Sequence, residues 1–232
     1  MHDNDAESLR AAGRRRLFPP ITDSNWLVLR ARRKIFSQWL AALHLQNVNV
    51  LDVGGRLQPY RELLPSSCRY WSVDLRPSAL VSAVANAESL PFPENTFQLV
   101  ICTQMLEYAP CPQQVVNEIH RVLAPGGTLL LSAPSIFPRD SEHDRWRFFP
   151  AAYRSLMSQF SDLEILAEGG TVAGFMRTTA VFARTSARYD ALRLALDLTL
   201  VPVLNALGAL GDKILGARDG TFTVNYSVRA RK

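Results

Sequence analysis

The residues best placed for chemistry lie in VNVLDVGGRLQPY, Val48 to Tyr60, where an apolar run ends in Asp52 and passes at once into Gly54-Gly55. At the carboxyl end of a first strand in an open α/β sheet, such a turn accepts a nucleotide-like ligand, because glycine lets backbone approach it closely. A helix starting next would offer free N–H groups to an anionic carboxylate. Twenty-two residues after Asp52, Asp74 closes a second apolar run, YWSVD. A carboxylate there can accept hydrogen bonds from both hydroxyls of a ribose. A dinucleotide site would need G-x-G-x-x-G at this turn. The run Gly54-Gly55-Arg56-Leu57-Gln58-Pro59 departs from it, which disfavours a nicotinamide-dependent oxidoreductase.

Elements must hold these groups in place. Short apolar runs at Val48–Val53, Tyr70–Asp74, Val81–Ala85, Phe97–Cys102 and Thr128–Ala133 read as strands. Pro59–Leu64, Gln113–Leu123 and Ala151–Phe160 read as helices, so the pattern predicts a parallel sheet with helices on both faces. Leu163–Ala167 predicts a further strand, residues 170–217 an apolar helical insertion, and Thr221–Arg229 a strand that returns to the sheet. Upstream, residues 1–21 are polar and Arg-rich, closed by Pro19-Pro20, and are expected to be flexible. Apolar spacing from Asp23, the expected N-cap, to His44 predicts a helix whose polar face carries Arg30, Arg32, Arg33 and Lys34. The expected organisation is an N-terminal arm and helix (1–45), a ligand-binding core (46–169), the insertion (170–217) and a last core strand (218–232).

Three further segments narrow the reading: Asn86-Ala87-Glu88-Ser89-Leu90-Pro91-Phe92, Asn95-Thr96-Phe97-Gln98-Leu99-Val100-Ile101, and Glu118-Ile119-His120-Arg121-Val122-Leu123-Ala124-Pro125-Gly126-Gly127. With these, the chain resembles class I S-adenosylmethionine-dependent methyltransferases, in the branch with D/N-A-E-x-L-P-F and E-I-x-R-V-L-x-P-G-G signatures. The G-x-x-x-P-Y-R pattern within Gly54 to Arg61 looks like that of enzymes from surface-glycan and natural-product clusters.

The resemblance implies a doubly wound, mostly parallel seven-stranded Rossmann-like sheet and S-adenosyl-L-methionine as cofactor. It implies that Asp52, Gly54, Gly55 and Arg56 form the cofactor loop and that Asp74 and Leu75 meet the ribose. Asn86, Ala87 and Glu88 would lie beside adenine, and Thr103, Gln104 and Leu106 would follow the pocket wall. Arg56 replaces the second glycine of the usual D-x-G-x-G, Asn86 the usual Asp, Gln98 the usual Asp of F-D-L-V, and Tyr108 the frequent His of L-E-H. Arg56 and Gln98 keep a second reading open, a catalytically silent binding or scaffold protein on the same fold.

Methylation of a hydroxyl needs a general base unless the acceptor proton is already lost. The segment Pro134 to Pro150, at the carboxyl edge of the sheet, gathers Asp140, Glu142, His143, Asp144, Arg145, Trp146 and Arg147. His143 is the first candidate base, with Glu107 and Tyr108 next. Tyr60, Arg145, Trp146 and Arg147 are the candidate acceptor contacts. The expected reaction is O-methylation of a small or glycan-type acceptor, with a lipid-linked glycan among the candidates.

Composition bounds these expectations. With 47% apolar and 20% charged residues, the chain is neither disordered nor a fibre. Cys68, Cys102 and Cys111 have no C-x-x-C spacing, so a disulfide framework and a zinc site are not indicated, and no metal is expected. Their usage, and an N-terminus without an apolar h-region, point to a cytoplasmic protein. Charge is uneven: residues 1–34 hold eight basic and four acidic side chains, 35–170 nine and thirteen, and 171–232 nine and four. The net-acidic block coincides with the expected cofactor core. Basic flanks alone do not make a nucleic-acid protein, and CTQMLEY, in place of the [DN]PP[YF] of amino-methylating nucleic-acid enzymes, argues against that partner. The longest uncharged apolar stretch, Leu198 to Gly211, is short of the roughly 20 residues of a transmembrane span. Residues 186–217 are expected to be a cap, a homodimer surface or an interfacial element peripheral to the membrane's inner face.

Overall fold

The computed structural model describes residues 5–139, 141–215 and 222–232. Seven strands form one mixed sheet: β1 (Asn49–Val53), β2 (Arg69–Asp74), β3 (Ala83–Val84), β4 (Phe97–Thr103), β5 (Leu123–Pro134), β6 (Ser161–Ala167) and β7 (Asn225–Arg231). Their order is β3-β2-β1-β4-β5-β7-β6, and only β7 runs antiparallel to its neighbours. Strand order reverses between β1 and β4, which opens a crevice at their carboxyl ends. This is the expected sheet. The last strand begins at Asn225 rather than Thr221, which lies outside the described residues.

Alternation along the central strands builds two cores. Leu51, Val53, Val100, Cys102, Leu129 and Leu131 face α3 (Pro112–Val122) and α4 (Pro150–Leu156). Val50, Leu99, Ile101 and Leu130 face the opposite side, where α2 (Trp26–Ala41) contributes Ile35, Phe36, Trp39 and Leu40. Both faces of the central strands are thus buried, which explains their continuous apolar content.

Four expectations are corrected. The N-terminal arm contains a helix, α1 (Ala6–Leu17), capped by Asp5 Oδ1, which accepts the N–H groups of Glu7 and Ser8. Leu9 and Leu17 are buried, and a Cβ on Gly13 would lie 2.1 Å from the carbonyl oxygen of Leu57. Only glycine lets α1 rest on the loop after β1. Second, Asp23 is not the cap of α2. The helix begins after Asn25, and the Asp23 carboxylate accepts the Asn25 N–H at 2.8 Å. Third, Pro59–Leu64 forms a single 3-10 turn, Arg61–Leu63, so no helix N-terminus follows the glycine pair. The N–H groups of Gly54 and Gly55 both donate to Val73 O, at 2.8 and 3.0 Å. Fourth, the apolar helical stretch is longer than its uncharged part: Asp190–Leu215 is long and apolar enough to cross a membrane by length and composition.

That stretch consists of α6 (Asp190–Leu198) and α7 (Leu200–Leu215), and it packs on α5 (Thr171–Ser186). Asp212 of α7 caps α5, accepting the N–H groups of Gly170, Val172 and Ala173. Asn205 is fully buried and donates to the carbonyls of Ile21 and Asp23. One face of α7 is therefore fastened to the segment leading into α2.

Candidate functional site

A cavity of about 980 Å³ opens at the carboxyl ends of β1, β2 and β4. Val53 and Gly54 enter it from β1, Asp74 and Leu75 from β2, Asn86 and Ala87 from the turn after β3, and Gln104, Met105 and residues 107–110 from the turn after β4. Gly54 has φ +78°, a left-handed conformation that strains side-chain-bearing residues, and a Cβ there would press on Met105 at 2.9 Å. Gly55 answers a different need: its Cβ would sit 2.7 Å from the Asp52 carboxyl carbon.

Asp74 Oδ1 accepts the Arg76 N–H at 2.9 Å, which orients the carboxylate at the cavity wall. Asn86 Oδ1 accepts the Glu88 N–H at 3.0 Å. Asp52 is buried and accepts the Tyr70 hydroxyl at 2.5 Å. Burial pushes its carboxyl up to about 7; the Tyr70 bond opposes this and the nearby Asp74 charge adds to it.

Of the expected cofactor residues, Gly54, Arg56, Asp74, Leu75, Asn86, Ala87 and Gln104 line the cavity. The others stand behind it. Asp52 and Gly55 shape the turn, Thr103 ends β4, and Leu106 is fully buried in the core. Glu88 is engaged structurally: its carboxylate accepts the N–H of Cys111, at the start of α3, at 2.7 Å.

The expected base and acceptor residues divide in the same way. His143, Glu107, Tyr108 and Arg145 line the cavity, His143 at its exposed rim and Glu107 buried. The Glu107 carbonyl accepts the N–H groups of Arg145 and Trp146, tying the segment after β5 to the turn after β4. Trp146 and Arg147 build that segment. Trp146 Nε1 donates to Ala109 O at 2.8 Å, and Arg147 pairs with Asp144 while donating to the carbonyls of Phe137 and Pro138. Tyr60 is buried against Phe36 with its hydroxyl beside Arg32, behind the wall. Asp140 lies outside the described residues. Among the described residues, no group of three or more His, Cys, Asp or Glu side chains could hold a metal.

Four arginines that sequence reasoning did not place in the site also line the cavity: Arg16, Arg32, Arg76 and Arg177. Arg32 is buried in an ion pair with Glu168, with Nε donating at 2.9 Å and Nη2 lying 2.8 Å from the second carboxylate oxygen. Glu168 also accepts the hydroxyls of Ser132 and Ser227. Burial pulls the Arg32 guanidinium down, but the Glu168 charge, joined by Tyr60 and the hydrogen bonds to both, outweighs it and holds the group above its ordinary value. A signal was present in the sequence. Arg32 shares the i, i+3, i+4 stripe of Leu29, Ile35 and Phe36, and Arg177 that of Ala173, Ala180 and Val181. A charge on an apolar stripe needs a buried partner or a ligand.

Residues 51–131 match the methyltransferase-domain family model. The ubiquinone/menaquinone biosynthesis C-methyltransferase UbiE of Enterobacter sp. (strain 638) is 39% identical over 67 residues, 28% of this chain and 27% of that protein. The 2-methyl-6-phytyl-1,4-hydroquinone methyltransferase 2 of Oryza sativa subsp. japonica is 26% identical over 136 residues, 46% of this chain and 39% of that protein. The chain thus spans well under half the length of these curated relatives.

Among solved structures, the [4+2]-cyclase SpnF aligns with a TM-score of 0.54 at 20% identity, covering 86% of this chain and 80% of that one. Phosphoethanolamine N-methyltransferase 2 of Haemonchus contortus, in complex with S-adenosyl-L-methionine, aligns at 0.53 and 14% identity, covering 95% and 60%. Residues 51–131 therefore carry the methyltransferase-domain pattern, and the sheet around them has the Rossmann-like fold of the methyltransferases.

Proposed function

We propose that the chain is an S-adenosylmethionine-dependent methyltransferase acting on a hydroxyl of a small or glycan-type acceptor. The observation that carries this reading is the convergence of Gly54, Asp74 and Asn86-Ala87 on one cavity at the strand carboxyl ends, inside the segment that matches the domain model. The residues suit the cofactor: Gly54 holds the turn in a positive-φ conformation that brings bare backbone to the cavity wall, and Asp74 presents an oriented carboxylate for a ribose diol. When bound, S-adenosylmethionine supplies an electrophilic methyl group on a sulfonium, open to in-line displacement. The chain's part is to orient the acceptor against it, which alone can lower a barrier by about 7–11 kcal/mol.

His143 at the rim takes the hydroxyl proton, with Glu107 and Tyr108 on the adjoining wall. Calorimetry should show binding of S-adenosylmethionine and S-adenosylhomocysteine. In a mass-spectrometric screen of hydroxylated sugars, methyl transfer should fall about 10²–10⁴-fold in His143→Ala with cofactor affinity unchanged. Unchanged turnover in that variant would remove His143 as the base.

A second reading, a methyltransferase fold without methyl transfer, draws on the Gly54 and Gly55 N–H groups, both of which donate to Val73 O. The [4+2]-cyclase on the same fold also supports it. Failure to bind either cofactor form would favour it.

We further propose that the outer face of α5 to α7 docks on an anionic membrane surface. Phe175, Phe182, Leu194, Leu198, Leu210 and Ile214 are each more than half exposed there. Arg188 lies exposed among them, beside Arg184 and Arg193, which pair with Asp197 and Asp190, and basic charge beside an apolar face favours an anionic surface. Vesicles containing phosphatidylserine should carry the protein upward in flotation, and Leu194→Ser with Leu198→Ser should abolish this. Deleting residues 186–217 is the wrong test, because buried Asn205 and the capping Asp212 belong to the fold. No flotation, with a concentration-dependent dimer in light scattering, would assign the face to a second copy instead.

A further inference from the structure

We infer that the end of the cavity bounded by α2, α5 and the segment after β5 is an oxyanion subsite, in which Arg177 binds a carboxylate or phosphate group of the acceptor. This deepens the methyltransferase reading and rests on it. Arg177 is only 4% exposed, yet it forms part of the cavity wall. Its Nη2 donates to Asn25 Oδ1 at 2.6 Å, and its Cζ lies 3.9 Å from the ring centroid of Phe137. These two contacts fix the plane of the guanidinium. Nε and Nη1 are buried and have no hydrogen-bond partner among the described residues.

Buried donors almost always find an acceptor, and a charged one left without is among the costliest features of an interior. Glu168 does not fill the role, because it is engaged by Arg32, Ser132 and Ser227. The Asp23 carboxylate accepts the Asn25 N–H. Burial first, then the Arg32 charge, hold the Arg177 guanidinium down at about 9, with Glu168 and Asp23 opposing. An incoming oxyanion would relieve this, and the planar fork of arginine suits carboxylate and phosphate. Arg16 and Arg145 also line the cavity and add to its positive field.

Topology separates this end from the expected cofactor end. Gly54, Asp74 and Asn86 come from β1, β2 and the turn after β3. Phe137 follows β5 and Arg177 lies on α5 after β6, both beyond β4 in the strand order, and Asn25 joins them through its bond to Arg177. The subsite therefore belongs to the acceptor, and it narrows that acceptor to acidic molecules such as uronates, aromatic acids or phosphorylated sugars.

The test uses the full chain saturated with S-adenosylhomocysteine, with melting temperature followed against inorganic phosphate and against acetate, each beside chloride at matched ionic strength. Saturable stabilisation by phosphate or acetate beyond chloride is expected, and the better of the two identifies the group. Arg177→Met should weaken the response at least tenfold and leave S-adenosylhomocysteine affinity intact, and Arg177→Lys should retain part of it. Should Arg177→Met fail to fold, Asn25→Ala, which releases the guanidinium plane, should show the same weakening. Wild type responding no more than to chloride would overturn the subsite. So would an unchanged response in Arg177→Met, or a loss of S-adenosylhomocysteine affinity, which would give Arg177 to the cofactor's own carboxylate. A wild type that binds neither cofactor form yet saturates with phosphate would instead sink the methyltransferase reading and leave an anion site standing.

Discussion

Glu168→Gln should destabilise the fold by about 3–5 kcal/mol, the range for breaking one partner out of a buried ion pair. For a chain of this size that corresponds to a fall in melting temperature of about 6–20 °C. Arg32 and Glu168 are 3% and 1% exposed, so neither can recover hydration when the other is lost. The glutamine amide can still accept from Ser132 and Ser227, which isolates the missing charge as the cause. Because Ser132 lies on β5, Ser227 on β7 and Arg32 on α2, the pair ties the N-terminal helix to the sheet beside the cavity. Arg32→Met alone should cost a similar amount. The double variant Arg32→Met with Glu168→Leu should recover most of the loss, since an apolar pair needs no compensating charge. Urea or thermal denaturation of the wild type, Arg32→Met, Glu168→Leu and the double variant closes the cycle, with Glu168→Gln measured beside them. A single-variant loss below about 1 kcal/mol would mean that the pair is effectively solvated.

What could be read in the sequence depended on whether the deciding contacts were local. The central strands were legible because both of their faces are buried, so Val50-Leu51, Leu99-Val100-Ile101 and Leu129-Leu130-Leu131 stand out as continuous apolar runs within each segment. The turn at Gly54-Gly55 and the carboxylate of Asp74 were legible because they end such runs. α1 was not: its seat depends on Gly13 meeting Leu57, a contact between segments far apart in sequence. The expected helix at Pro59–Leu64 shortened to one 3-10 turn, with Tyr60 buried between Phe36 and Arg32. Arg32 was read as part of a solvated face because the partner that buries it, Glu168, is 136 residues away. The uneven charge now has a structural counterpart. Arg16, Arg32 and Arg177 all come from the basic flanks, and all three line the cavity that Asp74, from the net-acidic block, also lines.

Removing the Asp74 carboxylate should weaken S-adenosylhomocysteine binding by about 10- to 150-fold, which corresponds to about 1.5–3 kcal/mol for hydrogen bonds to a charged group. The argument is geometric before it is energetic. Asp74 ends β2 at the cavity wall, and the Arg76 N–H bond to Oδ1 holds its carboxylate in one orientation without ligand, so little entropy is lost on binding. Asp74→Ala also removes that turn bond, so its effect mixes binding with loop geometry. Asp74→Asn keeps an oxygen for Arg76 and loses the charge and one acceptor, which makes it the cleaner variant, expected toward the lower end of the range. Asp52→Asn serves as the comparison. Asp52 is buried behind the wall with its carboxyl held by Tyr70, so its loss should move stability more than affinity. Calorimetry with S-adenosylhomocysteine separates the two carboxylates. If Asp74→Asn and Asp74→Ala both bind as tightly as the unmodified chain, the ribose does not sit on Asp74. If Asp52→Asn proves the weaker binder, the ligand reaches past the glycine turn to the Asp52–Tyr70 pair, and the cavity wall must open there to admit it.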